Sequence, residues 1–153
     1  MDLEYRRAIL FTSAITSIIL SAIVIARRWP PQSPGLDTVS LSPTRVVQSY
    51  YTYVSQGNIH DAVEFVTHKV SAQESLPGGD FTNVATLSGL SLKGPYHMPH
   101  NRHYKFVVQI VASFQVQWDS VIDQQNGEDT EFVYLGRNSR HQPWVITSIG
   151  SGP

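Results

Sequence analysis

The sequence predicts an α+β fold, with two or three helices packed on a curved four-stranded antiparallel sheet behind a single N-terminal transmembrane helix. Three observations predict it. Residues 8–26 run without a charge, residues 44–66 repeat their apolar positions at helical spacing, and from Phe81 onward the apolar period changes to two. The organisation that follows is a head at 1–7, an anchor at 8–26, a linker at 27–43 and one domain at 44–153.

The apolar run is AILFTSAITSIILSAIVIA, bracketed by Arg6-Arg7 before it and Arg27-Arg28-Trp29 after it. As a helix these nineteen residues span roughly 28 Å, about the thickness of a bilayer's hydrocarbon layer. Trp29 stands where an aromatic side chain would meet the headgroups. Cleavage as a signal peptide is the alternative, with Val24 and Ala26 as the small residues before the cut. The run is longer than the usual signal core, and the cut would leave two arginines at the new terminus, which favours an uncleaved anchor. Arginine pairs on both sides nearly balance the positive-inside rule. A short head and a large C-terminal domain are the commonest single-span layout, which places the head in the cytoplasm and the domain outside it.

Pro30 to Pro43 reads PPQSPGLDTVSLSP, a proline-rich spacer able to reach about 40 Å at roughly 3.1 Å per residue. Beyond Trp29 the chain has seven Lys/Arg and ten Asp/Glu, a formal charge of −3, and no basic face for a nucleic acid. All six histidines lie in this part, so acidification would carry it toward +3. With no cysteine, disulfides and thiolate chemistry are excluded.

Ser42 and Pro43 open the first helix, as N-cap and first helical residue. Val46, Val47, Tyr50 and Val54 form its apolar face, widened by Tyr51 and Tyr53, and Gly57 ends it. Asn58 caps a second helix with Asp61 as its capping-box partner, and Ile59, Ala62, Val63 and Val66 supply the next apolar stripe. Residues 67–80 read as a loop holding one helical turn. A first strand runs from Val84 to Leu92 and is broken by Gly94-Pro95. From Tyr104 to Trp118, Tyr104, Phe106, Val108, Ile110, Ala112, Phe114, Val116 and Trp118 alternate with a polar set, so one face is buried. A strand of fifteen residues is expected to carry a bulge or bend. Asn126-Gly127 turns the chain, Thr130 to Arg137 forms a third strand and Trp144 to Ile149 the last.

Three passages resemble the nuclear-transport-factor-two-like superfamily: RVVQSYYTYVSQGNIHDAVEFV, YKFVVQIVASFQVQW and FVYLGRNSRHQPWVITSIGSGP. The likeness covers 44–153 and implies the cone-shaped, cystatin-like fold. The helix, Gly-Asn, helix opening and the ending in Ile-Gly-Ser-Gly-Pro are similar to small extracytoplasmic proteins of Gram-positive bacteria. In layout alone, the chain also resembles the bitopic assembly subunit of type IV secretion machines. This superfold hosts enzymes, ligand binders and assembly subunits alike, so the resemblance sets no function.

His97, His100 and His103 recur at every third residue in PYHMPHNRHY and could hold zinc with a water in the fourth position. Pro99 stiffens that stretch and no carboxylate stands near it. His60 and Asp61 diverge by about 100° on one helix and cannot act on each other. Enzymes of similar fold place an acid–base carboxylate or histidine inside the cone. Here Asp119, Asp123 and Glu131 read as strand-end residues, which leaves no catalytic residue to name. Tyr50, Tyr104, Phe106, Phe114, Trp118 and Trp144 are the aromatic candidates for lining a ligand pocket. The expected function is a non-catalytic envelope domain that recognises an envelope protein, a small ligand or a second copy of itself. The alternative is a small hydrolase or isomerase, or a metal-binding protein using the histidine-rich loop.

Overall fold

The computed structural model describes residues 38–120 and 125–151. The expected anchor at 8–26 lies outside them, and no helix among the described residues is long and apolar enough to cross a membrane. A 3-10 turn at Thr38–Ser40 leads into helix α1, Pro43–Ser55. Ser42 caps α1 as expected, its hydroxyl accepting from Arg45 N at 3.3 Å. The reversal behind α1 requires the left-handed conformation at Gly57, φ 66°, which a residue with a β-carbon would adopt at a cost. Val46, Val47, Tyr50, Tyr51 and Val54 form the buried stripe of α1.

Asn58 caps α2, Ile59–Ala62, and its amide donates back to Asp61 Oδ2 at 2.8 Å. The helical run expected through Val66 is shorter than its periodicity implied. It tightens to 3-10 over Val63–Phe65, and Val66 then turns extended. The cause is the sheet: Val66 bridges in parallel to Ile146, and Thr67 N donates to Ile146 O at 2.9 Å. Residues 67–80 are more ordered than a loop. They contain α3, His68–Glu74, capped by Thr67, and α4 follows at Asp80–Asn83.

The four strands are β1 Val84–Met98, β2 Phe106–Trp118, β3 Gly127–Arg137 and β4 Val145–Gly150, an antiparallel meander in the order β1-β2-β3-β4. Gly94-Pro95 does not end β1. The strand continues through it with a register shift between Lys93 and Tyr96, and the Gly94-Pro95 peptide is cis. The irregularity expected in β2 falls instead on its neighbours. β2 pairs with β3 in unbroken register, while β1 carries three shifts and β3 shifts against β4 at Tyr134/Leu135.

Pairing fixes the two faces of the sheet. Val108 opposite Leu135, Ile110 opposite Val133 and Ala112 opposite Glu131 make the inner face, which the stripe of α1 covers. Val107, Gln109, Val111 and Ser113, opposite Gly136, Tyr134, Phe132 and Thr130, make the outer face. Alternation assigned Tyr104 to the inner set, but β2 begins at Phe106 and Tyr104 leaves the ladder. Its ring instead covers Gly136 on the outer side, where a β-carbon on that glycine would overlap it.

Leu135 and Ile110 are fully buried between sheet and helices. Truncating Leu135 to alanine is expected to cost about 2–5 kcal/mol through lost burial and a residual cavity. Gln117→Ala, exposed on the outer face, should stay within about 0.5 kcal/mol. Chemical denaturation of both variants beside the parent checks this.

Candidate functional site

Two places concentrate chemistry: an acid cluster beneath α1 and an open cavity on the outer face. The acid cluster begins with the adjacent tyrosines of α1. Successive helical residues point about 100° apart, so the two rings reach different elements. Tyr50 donates its hydroxyl proton to Asp80 Oδ2 at 2.9 Å, at the start of α4. Tyr51 donates to Glu131 Oε2 on β3. The rings meet edge to face at 5.0 Å, and Tyr51 also packs on Phe114 at 5.1 Å. Glu131 stands opposite Ala112, whose small side chain leaves room for the carboxylate and the phenol together. Glu74 joins by accepting from Asp80 N at 3.2 Å.

Asp80, Glu131 and Glu74 are all buried, and no lysine or arginine among the described residues pairs with them. Burial, followed by the neighbouring Glu74 charge, pushes Asp80 up to about 7, against the stabilising bond from Tyr50. Glu131 is also raised, by burial first and then by Asp80, with the Tyr51 bond opposing. Burial raises Glu74 too, and the backbone N–H of Asp80 acts against it. Both phenols are pushed well above the ordinary tyrosine range, by burial first and then by these carboxylates. The cluster therefore retains protons near neutrality, in bonds that tie α1 to α4 and β3. The sequence alone does not reveal it, because Asp80 ends an apparent loop and Glu131 reads as a strand-end residue. The available signal was the spacing of Glu131, Val133 and Leu135, which puts the acid on the inward set.

The outer cavity has a volume of about 470 Å³. Its floor is Tyr104, Val107 and Tyr134. Thr67 and Lys69 come from the start of α3, Asn101 and His103 from the β1–β2 connection, and Thr147 and Ser148 from β4. That connection is tied down by asparagines. Asn101 Oδ1 accepts from His103 N and Tyr104 N, each at 2.9 Å. From the next turn, Asn138 donates to His103 O at 3.1 Å and accepts from Lys105 N at 3.0 Å.

Of the aromatic candidates, Tyr104 alone lines this cavity. Tyr50, Phe114, Trp118 and Trp144 are buried, while Phe106 is 44% exposed. Arg137 connects two of them, its guanidinium lying 4.3 Å from the Trp144 ring centre and 5.9 Å from that of Phe106. The three spaced histidines separate. His97 is on β1 opposite Val108, His100 is in the connection, and His103 Nε2 accepts from Arg102 Nε at 2.8 Å. Among the described residues no three His, Cys, Asp or Glu side chains are placed to hold a metal ion. No family model matches the chain, and no characterised protein or solved structure gives a significant match.

The acid cluster has a signed consequence for stability. A carboxyl raised on folding binds its proton more tightly in the native state, so its contribution is complete below the unfolded value and is lost as pH rises through the folded one. For Asp80 the window runs from the ordinary 3.8 to about 7. Asp80→Asn is expected to reduce the loss of stability between about pH 4 and 8 by about 2–4 kcal/mol relative to the parent. Denaturation curves for both proteins across that range measure the difference.

Proposed function

We propose that this chain is a membrane-anchored recognition protein of the cell envelope, non-catalytic, with its domain outside the cytoplasm. Residues 8–26 are its anchor and 27–43 its spacer. The domain is of the cone-shaped, nuclear-transport-factor-two-like kind, and it recognises a protein or small ligand with the outer face of its sheet. One observation carries this reading. Side chains of α1 fill the inner face, where a cone would hold a substrate, whereas Val111, Phe132 and Tyr134 stand half-exposed on the outer face beside an open cavity. Tyr134 also lines that cavity, and half-exposed apolar and aromatic groups next to a concavity are the usual chemistry of recognition surfaces.

A photoreactive amino acid at Phe132 in the full chain, in living cells, is expected to give a discrete covalent adduct. The same group at the exposed Gln48 of α1 should give none. Equal labelling at both positions, or none at Phe132, would sink the proposal. Its topological part is checked in cells stripped of their wall. Added protease should digest the domain while a cytoplasmic control survives, and protection of the domain would rule out the extracytoplasmic placement.

The buried pair Asp80 and Glu131 favours a second reading, an acid–base enzyme of hydrolase or isomerase type whose proton donor lies beneath α1. Glu131→Gln keeps the acceptor for Tyr51 while removing the acid. Under the recognition reading the Phe132 adduct survives this change, and its loss in a folded variant would favour the enzyme.

A further inference from the structure

We infer that the outer-face cavity is a binding site for a small organic anion with a flat apolar body, an aryl carboxylate by chemical class. The inference deepens the recognition reading and rests on it. At about 470 Å³ the cavity falls within the range of small-molecule sites, roughly 300–1,000 Å³. Two phenol rings and a valine give it an apolar floor. Tyr104 lies over Gly136 because that residue has no side chain to lift the ring, and Val107 and Tyr134 add to the lining.

The polar rim is rich in donors. Among the described residues, each of four side chains uses an acceptor atom internally and retains a proton to donate. Tyr134 Oη accepts from Gln109 Nε2 at 2.8 Å, which leaves its own O–H. Thr67 Oγ1 accepts from Val70 N at 3.4 Å as the cap of α3, which leaves its hydroxyl proton. Asn101 Oδ1 is occupied by two backbone N–H groups, so its amide N–H bonds remain. His103 accepts on Nε2 from Arg102, which puts its ring proton on Nδ1. The ammonium of Lys69 has no ion-pair partner among the described residues, and no aspartate or glutamate lines the cavity.

A carboxylate offers acceptors alone, in the number such a rim can satisfy. A bound cation would need an acid here, and a sugar would need more acceptors than the oxygens of Thr147 and Ser148 supply. The hydroxyls of Thr147 and Ser148 complete the β4 side, Thr147 donating to Tyr134 O at 3.1 Å. The asparagine ties hold the rim before anything binds, which lowers the ordering cost of association.

Calorimetric titration of the full chain in nanodiscs of uncharged lipid, with empty nanodiscs as reference, tests this with 2-naphthoate against 2-naphthamide. The two probes share a ring system and differ in charge. Naphthoate is expected to bind about tenfold tighter or more, the worth of a hydrogen bond to a charged group. In Lys69→Gln that preference should fall below about threefold with naphthamide affinity unchanged. Lys69 is exposed, so this variant tests the charge without disturbing the core. Tyr104→Ala should weaken both probes equally. Equal affinity for the two probes, a preference that survives Lys69→Gln, or no saturable naphthoate binding up to about 10 mM would overturn the anion assignment. Any of these beside an intact Phe132 adduct leaves the recognition reading standing, whereas loss of that adduct in the parent overturns the reading itself.

Discussion

The structure depends on one burial constraint: the apolar stripe of α1 must be covered by the inner face of the sheet, and that stripe includes two adjacent tyrosines. Five of its side chains are buried, each contributing about 1.5–3 kcal/mol relative to exposure. The hydroxyls of Tyr50 and Tyr51 cannot be left without partners under that cover, since an unsatisfied buried hydroxyl costs about 1–3 kcal/mol. Asp80 and Glu131 provide the partners. Those carboxylates are buried as a consequence, beside Glu74 and away from any described cation, and their proton affinity rises accordingly. Packing of one helix thus decides the position of α4, the environment of β3 and the acid cluster between them.

The same constraint divides the sheet into two kinds of surface. With the inner face filled, open space accumulates on the other side, where Gly136 lets Tyr104 lie against the strands and α3 begins beside β4. The bridge from Val66 to Ile146 places α3 there. By drawing residue 66 out of its helix, the sheet brings Thr67 and Lys69 to the rim of the cavity. Helix-breaking and site-building are one event in this fold.

Local signals account for most of the fold but little of the site. The caps at Ser42 and Asn58, the reversal at Gly57 and the alternation from Phe106 to Trp118 stand in the chain much as they stand in space. These features depend on residues within a few positions of each other. The candidate site depends on residues far apart, such as Tyr50 with Asp80 and Tyr51 with Glu131, or Lys69 with His103 and Ser148. Periodicity gave Tyr104 the face of Phe106, and long-range contact with Gly136 gave it the other. Gly94-Pro95 read as a strand end, yet β1 passes through it because pairing with β2 resumes at Tyr96 and Gln109.

By itself, the sequence determined an α+β class, the helix-then-meander order, the cap residues, and an acidic domain behind an uncharged nineteen-residue run. It could do so because hydrophobic period, capping and turn chemistry act over a few residues. Tertiary structure alone decided that Glu131 and Asp80 share the helix-covered interior, that the three spaced histidines part, and that the donors around Tyr104 converge. Those outcomes follow from strand register and from which helix covers which face. Register and cover are fixed by the summed burial of the whole core, a quantity that no short stretch of chain contains.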